Sequence, residues 1–459
     1  MSKNATTLRN ERHTDLGNSK RLVVAYGRDL RYVPEWGKWL FWDGARWQMD
    51  QSQVQVMEAA KGTIRAIYPL APSIADDVKR AGLVGHARKS EQGPRLREMV
   101  RLAASDAKIV ARPQQLDRDP WLLNCENGTI DLRTGELRSH SREDLITRLA
   151  PVVYDPSASS GLWDEFLERA TDGDQELQDY LQRVAGYTMV GVAREEVALI
   201  LLGGTATGKS TFVEALKATL GEYAATADFE TFLRRSQPQG PRTDLARLKG
   251  VRLVTASEVP AGRQFDESTV KQLTGGDTVT ARHLYKEAFE YVPQFTICMA
   301  ANHRPGVRDD DPAIWRRLKV ISFEAQIPVE ERDPQVKARL RDPKVGGPAI
   351  LAWAVEGALK WQQEGLGEPE AVRRATQDYR SEMEIFTQFV EDCCVEDPSQ
   401  WVESIDIRGF YENWCELQGN RYPYGLKRFA NALRGRGHQP QKRGGHRGWR
   451  GIGVVPKAA

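Results

Sequence analysis

Apolar positions change their spacing along this chain, and each change predicts a different kind of element. Between residues 39 and 47, aromatic residues flank an Asp-Gly dipeptide, which is typical of a β-hairpin. Residues 52–107 have the spacing of helices, and a stretch rich in glycine, serine and glutamine predicts a break near 82–94. Residues 124–137 predict a second hairpin, which turns at Arg133–Gly135. This region therefore predicts a mixed α+β module.

In the centre of the chain, apolar runs of strand length alternate with helical stretches. Val197–Leu202 is an uninterrupted apolar run, which is typical of a strand buried on both faces of a parallel sheet. Thr211–Leu220 has helical spacing, and further strands are predicted at Gly250–Glu258, Gln294–Asn302 and Leu318–Phe323. The pattern therefore predicts an α/β core.

Changes of pattern and composition divide the chain into six predicted segments. A polar start, a linker rich in serine at Tyr154–Gly161 and a basic end mark some of the boundaries. The predicted segments are a disordered start (1–12), an amino-terminal α+β module (13–155), a helical linker (156–195), the α/β core (196–325), a helical segment (326–395) and a small basic domain (396–459).

The stretch between the first predicted strand and helix of the core is the most informative one. Gly203–Ser210 reads Gly-Gly-Thr-Ala-Thr-Gly-Lys-Ser and fits G-x-x-x-x-G-K-[ST], the P-loop pattern. A glycine loop between a strand and a helix presents backbone N–H groups to phosphate oxygens. Lys209 would reach the β- and γ-phosphates of ATP, and the Ser210 hydroxyl would bind Mg²⁺. The predicted nucleotide-binding residues are Gly203, Gly204, Thr205, Ala206, Thr207, Gly208, Lys209, Ser210 and Thr211.

Two predicted strand ends and an arginine pair complete a candidate catalytic set. Glu258 ends a strand where a carboxylate would handle Mg²⁺ or the attacking water, although an edge-strand glutamate gives the same pattern. Asn302 ends another strand and could sense the γ-phosphate. Arg316 and Arg317 precede a final strand, and in a ring such an arginine can reach the nucleotide of a neighbouring subunit. The predicted catalytic residues are Lys209, Glu258, Asn302, Arg316 and Arg317, with Ser210 and Glu258 at the metal.

Basic residues cluster in two further places. A Gly-Gly-Asp turn opens an alternating strand that is followed by more basic residues at 282–286. From Gln418 to Ala459 there are ten Lys or Arg and no Asp or Glu. Helices are predicted at Ile405–Leu417 and Tyr424–Arg434 and a glycine-rich hairpin at Gln439–Val455, an outline typical of a winged helix. Such a surface suits DNA phosphates, and a solvated basic end is the alternative. The predicted DNA-binding residues are Arg282, His283, Lys286, Lys427, Arg428, Arg434, Lys442, Arg443 and Arg447.

Composition and charge further limit the classes of protein to which this chain could belong. The net charge is only +2, so affinity for DNA must come from local patches. The five cysteines have no C-x-x-C spacing, which predicts reduced thiols in a cytoplasmic protein. The sequence shows neither a signal peptide nor an apolar run of about 18 residues, so no membrane association is expected.

The order of these motifs resembles that of superfamily 3 helicases. The closer resemblance is to the helicase half of phage and plasmid primase-helicases, a group related to the poxvirus primase-helicase. The matching motifs are the P-loop, Glu258, Leu273–Asp277 with Arg282 and Lys286, Asn302, and Asp311 with Trp315–Arg317. The segments that resemble the module preceding the helicase in that family are Thr14–Asn18, Trp39–Trp47 and Leu123–Gly135.

The resemblance implies an AAA+-like ATPase core, and the outline of the basic end predicts a small winged-helix-like domain after it. It also implies a homo-oligomeric ring, a hexamer, that hydrolyses ATP with Mg²⁺ and translocates 3′→5′ on single-stranded DNA during replication. Arg316 or Arg317 would act on the neighbour's nucleotide, and the hairpin carrying Arg282 and Lys286 would grip DNA in the pore. The expected setting is the bacterial cytoplasm, with single-stranded and duplex DNA and a separate primase or polymerase as partners.

Two features depart from the family pattern. Val259-Pro260 follows Glu258, so this strand does not end in paired acids, and Glu267 and Asp277 are weaker candidates for the second role. The amino-terminal module begins near Met1, without a paired-carboxylate strand for polymerisation. The sequence therefore predicts a helicase without primer synthesis of its own.

Two other classes of protein share part of this motif set. An ATP-dependent origin-binding loader would use the P-loop and the basic end without unwinding DNA. The predicted hairpin from Gly275 to Lys286 favours the motor, because translocation needs an element that grips DNA in the pore. A small-molecule kinase would share the P-loop, but the length of the chain and the arginine pair count against it.

Overall fold

The computed structural model describes residues 8–234, 242–257, 263–282, 287–307, 312–328, 332–418 and 423–455. The chain forms two compact units. The amino-terminal unit comprises Met1–Asp131 and Leu137–Leu149, and the carboxyl-terminal unit comprises Leu132–Glu136 and Ala150–Ala459.

The amino-terminal unit combines helices with two small antiparallel sheets, as the α+β pattern predicted. Its helices include α1 (Asp15–Tyr26), α2 (Val54–Arg65), α3 (Asp77–Ser90) and α4 (Gly93–Ala103). Its strands are β1 (Leu30–Val33), β2 (Lys38–Trp42), β3 (Trp47–Met49), β4 (Leu122–Cys125), β5 (Gly128–Asp131) and β6 (Glu136–Arg138), the last of which begins at the division between the units.

Both predicted hairpins are present, and the second has one more strand than expected. β2 and β3 pair antiparallel, with Trp42 opposite Trp47, on either side of the Asp-Gly turn. The second sheet has the order β4-β5-β6. The predicted turn at Arg133–Gly135 precedes β6, but Glu126 and Asn127 make an additional tight turn between β4 and β5. A two-residue turn leaves the strand alternation in register, so the pattern of apolar positions did not reveal it.

The break predicted near residues 82–94 is wrong for most of its length. α3 continues to Ser90 and α4 begins at Gly93, which confines the interruption to residues 91–92. Two glycines within α3 weaken a helix by only about 1 kcal/mol each. One face of α3 buries Leu83 and Ala87, and this burial offsets that cost.

The carboxyl-terminal unit contains the predicted α/β core and the helical segment that follows it. Its helices include α5 (Gly161–Ala170), α6 (Gln175–Met189), α7 (Lys209–Leu220), α8 (Thr243–Ala246), α9 (Glu267–Thr274), α10 (Pro312–Arg317), α11 (Pro334–Arg341), α12 (Gly347–Glu364), α13 (Glu370–Cys393), α14 (Ser404–Leu417) and α15 (Leu426–Gly435). Its strands are β7 (Ala198–Leu202), β8 (Ala224–Thr226), β9 (Leu253–Ser257), β10 (Val279–Arg282), β11 (Ala288–Tyr291), β12 (Thr296–Ala301), β13 (Leu318–Ser322), β14 (Cys394–Val395), β15 (Trp401–Glu403), β16 (Gln439–Arg443), β17 (His446–Arg450) and β18 (Gly453–Val454).

Five parallel strands form the central sheet in the order β13-β7-β12-β9-β8. Met299 of β12 lies between Ile200 of β7 and Ala256 of β9, and all three residues are buried. Helices cover the sheet, which explains why the sequence of β7 is apolar without alternation. The predicted parallel α/β core is therefore confirmed.

Helices α6 and α12 come so close that their backbones touch at two glycines. A Cβ atom on Gly357 would lie 2.0 Å from the carbonyl oxygen of Gln182. A Cβ atom on Gly186 would lie 2.0 Å from the backbone nitrogen of Ala358. Glycine is required at this crossing because neither helix leaves space for a side chain.

The end of the chain has the predicted order of helix, helix and hairpin. Residues 401–455, here called the terminal domain, place α14 and α15 beside a three-stranded sheet of order β15-β17-β16. Its core contains stacked and edge-on aromatic rings, including Tyr411 and Phe429 with centroids 4.8 Å apart. Phe386 and Phe389 of α13 join this core, so α13 connects the terminal domain to the rest of the unit.

Candidate functional site

The glycine loop connects β7 to α7, as the sequence predicted. A Cβ atom on Gly203, directly after β7, would lie 2.1 Å from the carbonyl oxygen of Phe323. Ala206 and Gly208 have φ angles of 62° and 94°, and this left-handed backbone turns the chain into α7, which begins at Lys209. A strand, a tight turn and a helix amino terminus form the geometry that suits phosphate binding.

The side chain of Lys209 folds back over its own loop. Its Nζ donates hydrogen bonds to the carbonyl oxygens of Gly203 and Gly204, at 2.8 and 2.5 Å, and lies 3.2 Å from Oγ1 of Thr207. Burial lowers the pKa of the ammonium group. Phosphate oxygens would give this ammonium charged acceptors in place of neutral ones, and charge-assisted hydrogen bonds are the stronger kind. The loop residues Gly204, Thr205 and Ser210 are exposed.

The connections that leave β7 and β12 run in opposite directions across the sheet. After β7 the chain crosses to β8 at one edge, and after β12 it crosses to β13 on the other side of β7. Open α/β sheets bind ligands at such a point, outside the carboxyl ends of the strands. Gly203 and the exposed Asn302 follow these two ends, and the Gly203 N–H donates to the carbonyl oxygen of Ala301 at 3.3 Å. The predicted loop and the predicted amide therefore lie side by side.

The predicted acid at the end of β9 lies outside the described residues. β9 ends at Ser257, which pairs with Ala300 of β12, and Glu258 is the next residue in the sequence. Of the two weaker candidates, Glu267 lies in the first turn of α9 and Asp277 lies on an exposed turn before β10.

The two predicted arginines differ in their surroundings. Nη2 of Arg317 donates to the carboxylate of Glu196 at 2.8 Å, and its Nη1 donates to the carbonyl oxygen of Ala313 at 3.0 Å. Arg316 is exposed at the end of α10. Arg317 is therefore held within its own chain, whereas Arg316 projects to the surface.

The predicted basic hairpin is described only in part. β10 and β11 pair antiparallel, and the exposed Arg282 lies opposite Ala288. His283 and Lys286 lie outside the described residues.

Two of the predicted basic residues of α15 contact side chains of other elements. Lys427 and Arg428 are exposed in the first turn of α15, and Arg428 forms an ion pair with Glu382 of α13. The guanidinium of Arg434, at the other end of the helix, lies 5.6 Å from the ring centroid of Trp449.

The hairpin of the terminal domain concentrates positive charge. Lys442, Arg443 and Arg447 are exposed on β16 and β17, and Lys442 lies directly opposite Arg447 in the strand pairing. Like charges in facing positions destabilise a strand pair. A polyanion bound along the hairpin would relieve this repulsion.

A cavity of about 380 Å³ lies at the carboxyl ends of β7 and β12. Its walls include Gly203 and Asn302 on one side and Lys427 of α15 on the other. Its size is within the usual range for ligand pockets, about 300–1,000 Å³.

Sequence reasoning missed two charged residues of this cavity, Arg304 and Glu382. Glu382 forms ion pairs with both Arg304 and Arg428, and burial lowers the pKa of the Arg304 guanidinium. Arg304 stands before Pro305, which indicates only a turn, and Glu382 lies in a helix of ordinary pattern. Only the fold brings these side chains together.

Two classes of site are not found among the described residues. No cluster of three or more His, Cys, Asp and Glu side chains in these ranges could hold a metal ion. Within the same ranges, the helices are too short or too polar to cross a membrane.

Two family models match consecutive parts of the chain. Residues 19–172 match the family described as "D5 N terminal like". Residues 201–317, which include the glycine loop, Asn302 and the arginine pair, match a "Family of unknown function (DUF5906)".

Named viral proteins align with the same regions. "Putative helicase L207/L206" of Acanthamoeba polyphaga mimivirus is 29% identical over 332 residues, which cover 67% of this chain and 34% of that protein. "Putative helicase 022R" of Frog virus 3 is 25% identical over 392 residues, covering 68% of this chain and 40% of that protein. "Putative primase C962R" of African swine fever virus is 24% identical over 308 residues, which cover 62% of this chain and 32% of that protein. The chain thus spans well under half the length of these relatives, and their hosts give no support to the expected bacterial setting.

A solved structure described as "The A form apo structure of NrS-1 C terminal region-CTR" matches with a TM-score of 0.43 and 11% identity. The match covers 93% of this chain and 96% of that one.

Fold and site together define a mixed α/β protein whose parallel sheet carries a glycine loop at the point where its connections diverge. The matched models and named relatives make the chain a homologue of the D5-like viral primase-helicases. The resemblance predicted from the motifs is confirmed at this level.

Proposed function

We propose that this protein is an ATP-dependent DNA helicase of the superfamily 3 type that works during replication. In this proposal the carboxyl-terminal unit is an AAA+-like motor that forms a hexameric ring and translocates 3′→5′ on single-stranded DNA. It does not synthesise primers itself and relies on a separate primase or polymerase.

One observation carries the proposal: the glycine loop and Asn302 meet at the divergence of the sheet connections. A loop with exposed backbone and a buried lysine amine fits the phosphates of ATP. The residues for Mg²⁺ are Ser210 and Glu258, and a bound Mg²⁺ would neutralise charge on the β- and γ-phosphates. In this arrangement Lys209 holds the phosphates and Asn302 orients the attacking water.

The remaining roles follow the order of the motifs. Arg316 reaches the nucleotide of the neighbouring subunit, because Arg317 is already bonded within its own chain. The β10–β11 hairpin, with Arg282, His283 and Lys286, grips single-stranded DNA in the pore.

The terminal domain, winged-helix-like in its order of elements, binds duplex DNA. Its hairpin supplies Lys442, Arg443 and Arg447 to the phosphates, and the facing like charges support this role. Such phosphate contacts carry little sequence information. Because phosphate contacts release bound counterions from DNA, this binding should weaken steeply as the salt concentration rises.

The test is the rate of ATP hydrolysis with and without single-stranded DNA, for the wild type, Lys209→Ala and Lys217→Ala. Lys217 lies on the same helix, α7, and makes a surface ion pair with Glu214, so its loss should leave hydrolysis intact. We expect DNA to stimulate the wild type and Lys217→Ala, and Lys209→Ala to be inactive.

Hydrolysis that persists in Lys209→Ala would refute the assignment of the loop. Hydrolysis that depends on Lys209 but ignores DNA would favour the loader, in which ATP rearranges a DNA-bound complex without strand separation. A strand-displacement assay on a forked duplex then decides between motor and loader.

A further inference from the structure

The cavity at the glycine loop has one wall that belongs to the terminal domain. Gly203 and Asn302 line it from the core, while Lys427, Arg428 and Asn431 of α15 line it from the terminal domain. The helix predicted to bind DNA therefore borders the same cavity as the predicted nucleotide site.

The position of Lys209 shows which end of the nucleotide would face this cavity. Its Nζ rests on the carbonyl oxygens of Gly203 and Gly204, at the first residues of the loop. In such loops the lysine amine binds the β- and γ-phosphates. Gly203 is the residue of the glycine loop in the cavity lining, so a γ-phosphate held by Lys209 beside Gly203 would face the cavity.

The charges that line the cavity favour an anion. Arg304 and Arg428 share a single carboxylate, that of Glu382. Arg436 forms an ion pair with Glu396, which lies outside the lining. The basic side chains of the lining thus outnumber its acidic ones.

Lys427 is the cation of this wall that remains available. It is exposed, and within the described ranges it forms no ion pair. A lysine ammonium on a flexible stem can move to meet a phosphate, and it binds phosphate as a point charge.

We propose that α15 contacts the γ-phosphate of the nucleotide bound in the glycine loop, with Lys427 as the contacting residue. This inference rests on the proposed function, because it assumes a nucleoside triphosphate in the loop. The terminal domain then distinguishes ATP from ADP, since ADP has no phosphate within reach of Lys427.

The test compares the binding of a non-hydrolysable fluorescent ATP analogue with that of the matching ADP analogue, both in the presence of Mg²⁺. The proteins are the wild type, Lys427→Ala, Lys427→Arg and the matched control Lys344→Ala, which removes an exposed lysine from the turn between α11 and α12, outside the cavity lining. We expect Lys427→Ala to weaken triphosphate binding roughly tenfold and leave diphosphate binding unchanged. Lys427→Arg should retain most of the preference, and Lys344→Ala should behave as the wild type.

Three results would overturn the inference. Triphosphate binding by Lys427→Ala equal to that of the wild type would remove Lys427 from the site. Equal weakening of both analogues, or the same loss in Lys344→Ala, would mean a general effect of charge. A wild type whose nucleotide binding is absent or unaffected by Lys209→Ala would refute the proposed function itself, and the inference with it.

Discussion

At the scale of single residues, the glycine loop contains two neighbouring glycines with opposite surroundings. A Cβ atom on Gly203 would overlap the carbonyl oxygen of Phe323, at 2.1 Å, and backbone atoms cannot rotate away as a side chain can. A Cβ atom on Gly204 would have open space around it, and this residue is exposed. Close packing therefore requires glycine at position 203, whereas position 204 has space for a side chain.

We expect Gly203→Ala to displace the loop from β13 and to weaken ATP binding at least roughly tenfold, with a loss of stability of about 1–3 kcal/mol. Gly204→Ala should bind ATP as the wild type does, because its methyl group meets nothing. Nucleotide affinity and thermal unfolding of both variants check this. Equal affinities for Gly203→Ala and the wild type would contradict the described approach to Phe323.

The sequence predicted the residues of the loop but not the ion-paired residues beside it. Lys209 belongs to a contiguous motif whose spacing alone encodes its function. Arg304, Glu382 and Arg428 come from three distant segments, and their charges carry no periodicity that links them. Residues that meet only through tertiary packing leave no local signal, so a single sequence could not place them.

At the scale of elements, the contact between α6 and α12 depends on a missing side chain. Gly357 lies against the backbone of Gln182, and α12 packs across α6 at this point. Gly409 in α14 offers a comparison, since nothing lies near its potential Cβ atom.

We expect Gly357→Ala to lower the free energy of unfolding by about 1–3 kcal/mol, because a methyl group would force the helices apart. Gly409→Ala should raise it by up to about 1 kcal/mol, because alanine favours helix more than glycine. Urea denaturation followed by tryptophan fluorescence measures both changes. A Gly357→Ala protein as stable as the wild type would show that the helices separate at no cost.

A buried polar network joins α3 to α1 in the amino-terminal unit. Nε2 of His86 donates a hydrogen bond to Oδ1 of Asn18 at 2.8 Å, and the imidazole stacks on His13. Burial, followed by the charge of Arg21, lowers the pKa of His86 from 6.5 to about 4. His86 is therefore neutral in the folded protein at pH 5, whereas it is largely protonated in the unfolded chain.

The unfolded chain thus binds more protons between these two pKa values, so stability should fall as the pH falls from 6.5 to about 4. We expect His86→Gln to be less stable than the wild type at pH 7 and to lose less on acidification across this range. Thermal unfolding at pH 7, 6 and 5 would test it, with the slope against pH as the readout. Identical slopes for the two proteins would mean that His86 keeps its ordinary pKa.

Element prediction succeeded where tertiary burial and local pattern agreed. β7, α7 and the helices of the terminal domain appear where their spacing placed them. The helix α3 runs through its predicted break because packing on α1 and α2 outweighs two weak helix formers. Local helix propensity alone therefore predicted the wrong structure for these residues, because the burial of one face of α3 keeps them helical.

At the scale of the whole molecule, the proposed ring requires each active site to draw residues from two subunits. In such a ring the glycine loop would come from one subunit and Arg316 from its neighbour, while Arg317 is bonded to Glu196 in its own chain. Exposure of Arg316 at the end of α10 is the observation that favours this division.

Mixing two inactive variants tests the shared site. Lys209→Ala has no functional loop and Arg316→Ala has no reaching arginine, so each should hydrolyse ATP poorly alone. Mixed rings contain some interfaces where an intact loop faces an intact arginine, and we expect part of the activity to return. Absence of recovery in the mixture would place the whole active site within one subunit.

Arg317→Ala should bind nucleotide but unfold at a lower temperature, because it loses its bonds to Glu196 and Ala313.

The contact between Gly203 and Phe323 has a mechanical consequence for such a ring. β13 begins directly after Arg317 and ends beside Phe323, so one short strand joins the arginine pair to the floor of the loop. A five-residue strand spans roughly 17 Å and stretches very little. If the loop shifts on phosphate release, this strand would shift with it as a rigid body. The arginines at the other end of the strand would then change position relative to the next subunit. Phosphate release in one subunit would thereby influence when the neighbouring subunit hydrolyses its ATP.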